Sequence, residues 1–513
     1  MAIKILLLLV FFAVTISIGL YFRNRASNVN DFVLGGRSVG PWLSAFSYSA
    51  SYFSAVVFVG YAGQFGWRFG TSAVWIGLGN AFIGSLMAWM ILGRRTRIMT
   101  NHLKSATMPE FFGSRYTSSA LKIGASMIVF IFLIPYTASL YNGLSRLFAM
   151  AFGVPFEYCI ITMGILTAIF VVVGGYIATV VNYFIQGMIT LCGIVAVIIV
   201  VLKDNGGFMT AMDSLARVND PAVSPGAYTS FFGPDPITLL GVIILTSFGA
   251  WGLPQMVARF YSINSEKQIT KGAILSTIFA IFVAGGCYFL GSFGRLYADI
   301  IDVNASGDVV FDSIIPTILS GFSDAMIGLV IVLVFAASIS TLSSLVMASA
   351  STLTLDFLRD HIIKKMSDRK QLLIIRALIV VFIVISSVIA IVQYRNGITF
   401  IAQLMGVSWG ALAGSFLAPF LYGLYWKRAS KVSVWCCFLF STVLMTLNIF
   451  FRDSFPAILQ SPINAGAFTM LAGLIIVPAV SVFTKAPGKA SIEYCFSCYG
   501  EVVSAEEGKA YTR

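Results

Sequence analysis

The chain has 513 residues, of which 58% are hydrophobic and 11% charged, with a formal net charge of +12. Soluble domains carry about 25% charged residues, so the composition excludes an ordinary soluble fold and points to a polytopic membrane protein. Nucleic-acid binding is not the meaning of the positive balance, because Lys and Arg are sorted by loop rather than gathered in one patch.

Thirteen apolar segments are predicted to cross a bilayer, near residues 3–22, 41–66, 70–93, 122–145, 157–175, 177–202, 236–258, 272–294, 325–355, 372–394, 398–425, 431–451 and 464–484. Each approaches the about 20 residues a spanning helix needs. The first is expected to be a retained helix, since Arg23 and Arg25 follow it where a signal peptide would end in small residues. No Asp or Glu lies near the middle of any segment. An ion or solute handled there must be met by neutral oxygens, aromatic rings and backbone.

The second segment is interrupted by a small, polar run from Ser47 to Ser54 (SYSASYFS). The sequence from Thr107 to Glu110 reads as a helix start, with Thr107 as cap and Glu110 reaching back to it. After the long loop 203–235, the seventh segment carries Gly249, Gly252 and Pro254 within a few residues, enough to break a helix in mid-membrane. Unwound backbone at that depth survives only where it lines a cavity or is buried in protein. Two such interruptions five segments apart are the sequence sign of a transporter binding site. The loop 295–324 holds an apolar stretch, Val309 to Ile318, that could form a short lid helix, and a glycosylation sequon at Asn304.

In the ninth segment, Ala337, Ser340 and Thr341 are spaced i, i+3 and i+4 and share one helical face. Two hydroxyls and a carbonyl there suit a small hard cation. The same hydroxyls could equally bond back to carbonyls of the preceding turn. The tail carries one CxxC, Cys495 and Cys498, without the second pair or His partners that a metal site would need.

Of the 33 Lys and Arg residues, 25 fall in alternate loops and the tail. The positive-inside bias then places the N-terminus outside and the C-terminus in the cytoplasm.

Several motifs together resemble the sodium/solute symporter family, which includes bacterial proline permeases and sodium/glucose cotransporters. They are the run from Asp31 to Pro41 (DFVLGGRSVGP), Thr107 to Glu110, Gly174-Gly175 followed by Gln186, Pro254 to Phe260 (PQMVARF), and the Ala337/Ser340/Thr341 face with Asp356 beyond it. The resemblance covers about residues 30–430. It implies an all-α LeuT-type fold of five-plus-five inverted repeats with about 13 transmembrane helices. On that scheme 1–40 holds the leading helix and first loop, 41–202 the first repeat, 203–235 an extracellular loop, 236–425 the second repeat, 426–484 two trailing helices and 485–513 a cytoplasmic tail.

The resemblance further implies a sodium site made of the backbone carbonyls of Ala50, Phe53 and Ala337 and the hydroxyls of Ser340 and Thr341. Some members place an acidic residue, supporting a second sodium, where this chain has Tyr183, so one sodium per cycle is expected. Proline-permease-like members carry an aspartate where this chain has Tyr52. Sugar-transporting members carry polar side chains at positions that look like Val57 and Leu253. The expected solute contacts are Tyr52, Val57, Phe248, Trp251, Gln255 and Gln403, a set that favours a small amino acid, monocarboxylate or similar acid over a sugar.

The expected function is sodium-coupled symport across the cell membrane, by alternating access, with no cofactor besides sodium as coupling ion. The expected partners are sodium, a small-molecule solute and the lipid bilayer, with no nucleic acid and no obligate protein partner. Proton coupling would need a titratable relay within the membrane, and a membrane sensor would need signalling domains. Neither they nor paired catalytic groups of an enzyme appear in the sequence.

Overall fold

The computed structural model describes residues 2–22, 33, 40–50, 54–263, 266–304, 307–363, 366–395 and 401–510. Helix α1 is Ala2–Phe22 and α2 is Pro41–Ala50. A π turn, Val56–Tyr61, leads into α3, Ala62–Phe69. Gly70 ends α3 at φ +61°, a conformation that costs a side chain strain, and a Cβ there would overlap the Tyr228 backbone. Helix α4 covers residues 74–102 and contains π turns at Asn80–Met87 and Trp89–Gly93. It outruns its predicted end at residue 93 because Arg94 and Arg97 find partners in Glu266 and the Ile263 carbonyl.

Helices α5 (Met108–Arg115), α6 (Ser119–Phe152) and α7 (Phe156–Asp204) follow. The 49 residues of α7 would be about 74 Å long if straight. Yet both ends reach one face of the bundle. Phe156 stacks on Tyr394 and shares a cavity with Ile300, while Asn205 donates to the Tyr297 hydroxyl at 2.8 Å. The segment therefore crosses and returns, which accommodates the two predicted segments 157–175 and 177–202.

The second half holds α8 (Pro236–Gly252), α9 (Pro254–Tyr261), α10 (residues 267–292), α11 (Ile314–Ser320), α12 (Asp324–Thr352) and α13 (Asp368–Arg395). Next come α14 (Ile401–Tyr425), α15 (Lys431–Phe450), α16 (Pro462–Phe483) and α17 (Lys489–Ala510). Among the described residues, nine helical stretches are long and apolar enough to cross a membrane, or ten if α8 and α9, bent by 45°, count as one. The count differs from thirteen partly because residues 56–102 run on as one helical stretch.

Helices α12 and α14 form the centre and are buried along most of their length, whereas α13 leaves most of its surface exposed on the outside of the bundle. Glycines set the closest crossings. A Cβ on Gly66 of α3 would overlap the backbone of Gly291, and one on Gly291 would overlap Ala62. A Cβ on Gly252 would come within 2.8 Å of the Ala413 Cα, so this glycine lets α8 pack on α14. The break between α8 and α9 falls one residue later, at Leu253, which is extended at φ −84° and ψ 121° because Pro254 disfavours helix before it.

One end of the bundle is tied by charge. Thr107 caps α5 by accepting from the Glu110 amide, and it donates to Asp356 at 2.6 Å. The Glu110 carboxylate accepts from Ala106 rather than from the cap itself, a one-residue difference from the expected capping box. Lys122 contacts Asp360 at 2.6 Å and Asp356 at 3.4 Å, joining α6 to the extension of α12. Helix α17 docks on this same end: His102 meets the Tyr494 carbonyl at 2.8 Å, Arg95 lies over Tyr425 and Tyr499, and Arg115 over Phe496. Cys495 and Cys498 are buried in that contact, and burial pushes the Cys495 thiol up. At the opposite end, α11 forms the expected short helix, beginning later than its apolar stretch suggests. Asp312, in the turn leading into it, is buried beside Arg146 at 3.9 Å.

Candidate cation and solute site

In α12, Ala337, Ser340 and Thr341 are all buried. The Ser340 hydroxyl donates to the Ala337 carbonyl at 2.6 Å, and the Thr341 hydroxyl donates to the same oxygen at 3.2 Å. Three oxygens thus converge in one turn. Ser338, between them, accepts the Ala55 amide hydrogen at 2.9 Å. That amide lies at the start of the helical stretch that follows the bend at Ser54, where N–H groups lack intrahelical partners. The α12 turn is therefore pinned against that helix start, and the expected interruption falls largely on residues 51–53, outside the described residues. Ala50 is the last residue of α2 and is buried, and α2 touches α12. Phe53 and Tyr52 lie outside the described residues.

The solute candidates scatter. Val57 is buried in the π turn before α3. Phe248 and Trp251 pack together with centroids 5.4 Å apart, and the Trp251 indole N–H donates to the Ile83 carbonyl at 3.0 Å. Ile83 lies in a π turn of α4, where the altered register frees carbonyls for such bonds. Trp251 is thus a clamp between α8 and α4. Gln403 is half-buried in the first turn of α14.

Gln255 is placed differently. It stands in the first turn of α9, buried, with its side-chain oxygen unbonded. It lines a cavity between α9 and α12 that reaches the Thr107 end, together with Tyr183, Arg259, Ser343, Ser344 and Thr352. Tyr183, the residue in place of a carboxylate, donates to the Ser340 carbonyl at 2.8 Å and accepts from Arg259 at 3.3 Å. Val57, Phe248, Trp251 and Gln403 do not line this cavity.

Sequence reasoning passed over Asn142. It is buried in α6 beside Gly143, which abuts Ala55, and neither amide atom is bonded; the same holds for the Gln186 amide. An unbonded buried amide costs about 1–3 kcal/mol, so each suits a group that meets a water or a bound solute. The available signal was a carboxamide inside an apolar segment.

The described residues hold no group of three or more His, Cys, Asp and Glu fit for a metal ion. The oxygens on offer near α12 are neutral, which fits a monovalent cation better than a transition metal.

The model of the sodium:solute symporter family matches residues 32–435. The osmoregulated proline transporter OpuE of Bacillus subtilis (strain 168) is 29% identical over 497 residues, covering 96% of this chain and 97% of that protein. The sodium/proline symporter of Staphylococcus aureus (strain JH9) is 29% identical over 440 residues, covering 83% of each. Among solved structures, a sodium-coupled sialic acid symporter in a substrate-bound outward-open state superposes with TM-score 0.73 at 18% identity, over 95% of this chain and 99% of that one. The inward-facing conformation of Mhp1 gives TM-score 0.51 at 12% identity, over 89% and 94%. These likenesses agree with the LeuT-type fold that the family resemblance implies. With the family model matching residues 32–435 and these relatives aligned over most of its length, this chain is a member of the sodium:solute symporter family and performs sodium-coupled symport of a small solute.

Proposed function

We propose that the coupling sodium binds at the Ala337, Ser340 and Thr341 oxygens, completed by the carbonyls of Ala50 and Phe53, and that one ion moves per solute. The observation that carries this reading is the convergence of both hydroxyls on the Ala337 carbonyl, in a buried turn held to the helix start after Ser54 by Ser338 and Ala55. A hydroxyl that donates backward without an ion can rotate to present its lone pairs to one. The site draws oxygens from α2 and α12, so a bound cation favours the conformation in which those helices are close and shifts the population toward it. Sodium is the only non-protein group the proposal requires, and the chain is not an enzyme.

The solute is a small amino acid, monocarboxylate or similar acid. Two relatives carry proline in their names, which puts proline first among the compounds to test. Its carboxylate would face the amino-terminal end of α9, where the helix dipole favours a negative group, with Gln255 as a polar partner. Asn142 would offer a second amide. Orientation follows the charge bias, with the N-terminus outside, the Thr107 end and the tail in the cytoplasm, and the protein in the cell membrane.

The test is uptake of labelled proline, alanine, lactate and a hexose into vesicles under an imposed sodium gradient. Ser340→Ala and Thr341→Ala should each raise the half-saturating sodium concentration, with little loss of folded protein and a Hill coefficient near one for the wild type. Unchanged sodium dependence in both variants rejects the ion site. Strong hexose uptake rejects the solute class, and two sodium ions per solute by reversal potential reject the stoichiometry.

A further inference from the structure

Tyr183 connects three helices through one oxygen. As donor it bonds the Ser340 carbonyl of α12 at 2.8 Å, and as acceptor it takes a hydrogen from Arg259 of α9 at 3.3 Å. The guanidinium also lies over its ring, 4.9 Å from the centroid. Both side chains are buried.

The Ser340 carbonyl receives a second hydroxyl as well, from Ser344 at 3.2 Å. This carbonyl belongs to the same residue whose hydroxyl points at Ala337. Fixing it fixes the rotation of the turn that presents the cation-type oxygens. Arg259, at the other end of the link, sits on the half-helix that begins after the break at Leu253. The cavity between α9 and α12 has Tyr183 in its wall together with Arg259 and Ser344. A movement of α9 that widens or closes this cavity therefore acts on the Tyr183 hydroxyl.

We propose that Tyr183 is a positioning residue that transmits the displacement of the α9 half-helix to the Ser340 turn, so that the position of Arg259 sets the sodium affinity. The proposal rests on the sodium reading given above. In this role Tyr183 acts through the Ser340 carbonyl rather than as a sodium ligand. Sodium held at Ser340 and Thr341 favours the α9 position that keeps Arg259 on the ring, and departure of α9 loosens the turn. The reciprocity is required by linkage: whatever factor the α9 position applies to sodium affinity, sodium applies to the α9 equilibrium.

The experiment uses purified full-length protein and sodium alone as ligand, with potassium as the ionic control. Sodium-dependent thermal stabilisation is titrated for the wild type, Tyr183→Phe, Arg259→Lys, the double variant and Ser340→Ala. Phenylalanine keeps the ring under Arg259 and removes only the oxygen. Lysine keeps the charge and loses the planar stack. A hydrogen bond contributes about 0.5–1.5 kcal/mol, so each single variant should raise the sodium midpoint about two- to twelvefold. The double variant should be no worse than the larger single one, because both changes cut the same link. Melting temperature without sodium should stay near the wild type.

A merely structural Tyr183 would lower the sodium-free melting temperature and leave the sodium midpoint in place. That result, or a wild-type midpoint in Tyr183→Phe alongside a raised one in Ser340→Ala, overturns the inference and spares the ion site. A wild-type midpoint in Ser340→Ala, or no sodium stabilisation of the wild type, overturns the ion site and the inference with it. Should Tyr183→Phe fail to fold, Arg259→Lys decides: a raised sodium midpoint with an unchanged sodium-free melting temperature supports the link, and a wild-type midpoint overturns it.

Discussion

Ser338 accepts the Ala55 amide hydrogen at 2.9 Å, across 283 residues of sequence, and so partners a free N–H at the helix start that follows Ser54. The cap comes from the same turn as the candidate sodium ligands. A helix start deprived of its hydroxyl partner loses about 1 kcal/mol. Ser338→Ala should therefore lower thermal stability by that order and raise the half-saturating sodium concentration severalfold, although Ser338 is not itself a ligand. Ser338→Thr, which keeps the hydroxyl, should restore both. Normal sodium titration in Ser338→Ala would show that the cap and the ion site are independent.

Burial pushes the Asp312 carboxyl from 3.8 up to about 7, against the opposing pull of Arg146 and the Ile401 amide. The folded protein thus holds this proton more tightly than the unfolded chain. Its contribution to stability is fully present below about pH 4 and is lost as pH rises through about 7. Asp312→Asn should flatten that slope, and at pH 8 the variant should melt no lower than the wild type. Melting curves at pH 4, 6 and 8 check this; an unchanged slope in the variant rejects the assignment.

Trp251 separates two roles by chemistry. Trp251→Phe keeps a ring beside Phe248 and drops the N–H bond to Ile83. If Trp251 is a clamp, this variant loses about 1 kcal/mol of stability and keeps solute affinity. Trp251→Ala should cost about 3–5 kcal/mol and reduce folded protein. A stable Trp251→Phe with greatly weakened solute uptake would instead place the indole in the solute site.

Gly66→Ala should be among the most damaging single-carbon additions, because the added methyl meets the backbone of Gly291 rather than a side chain that can rotate. Overpacking of this kind costs about 1–3 kcal/mol or more. Gly285→Ala is the matched control: nothing lies within 4 Å of its Cβ position. A smaller loss in Gly66→Ala than in the control would mean that α3 and α10 can separate freely.

The bundle was legible because membrane helices announce themselves by length and apolarity, and because a bilayer admits few alternatives for backbone. The break before Pro254 was legible for a local reason, the steric demand of proline on Leu253. Gly249 and Gly252 were read as breakers and proved to be packing residues, since a glycine gives the same sequence signal in both roles. Ala337, Ser340 and Thr341 came together because helical spacing alone decides their neighbours. The bond from the Trp251 indole was not legible, because a sequence does not reveal that a π turn 168 residues earlier presents the Ile83 carbonyl to it. Asn142 was invisible for a similar reason: whether a buried amide is satisfied depends on partners from other helices.

The docking of α17 has a consequence for how the protein is made. His102 and Tyr494, in contact in the finished molecule, are 392 residues apart in sequence. At about 5–20 residues per second of synthesis, the Arg95, His102 and Arg115 surface waits on the order of tens of seconds for the aromatic face that covers it. Through that interval Arg95 and Arg115 lack the Tyr499 and Phe496 rings that cover them in the finished molecule, and keep the partners at residues 423–426.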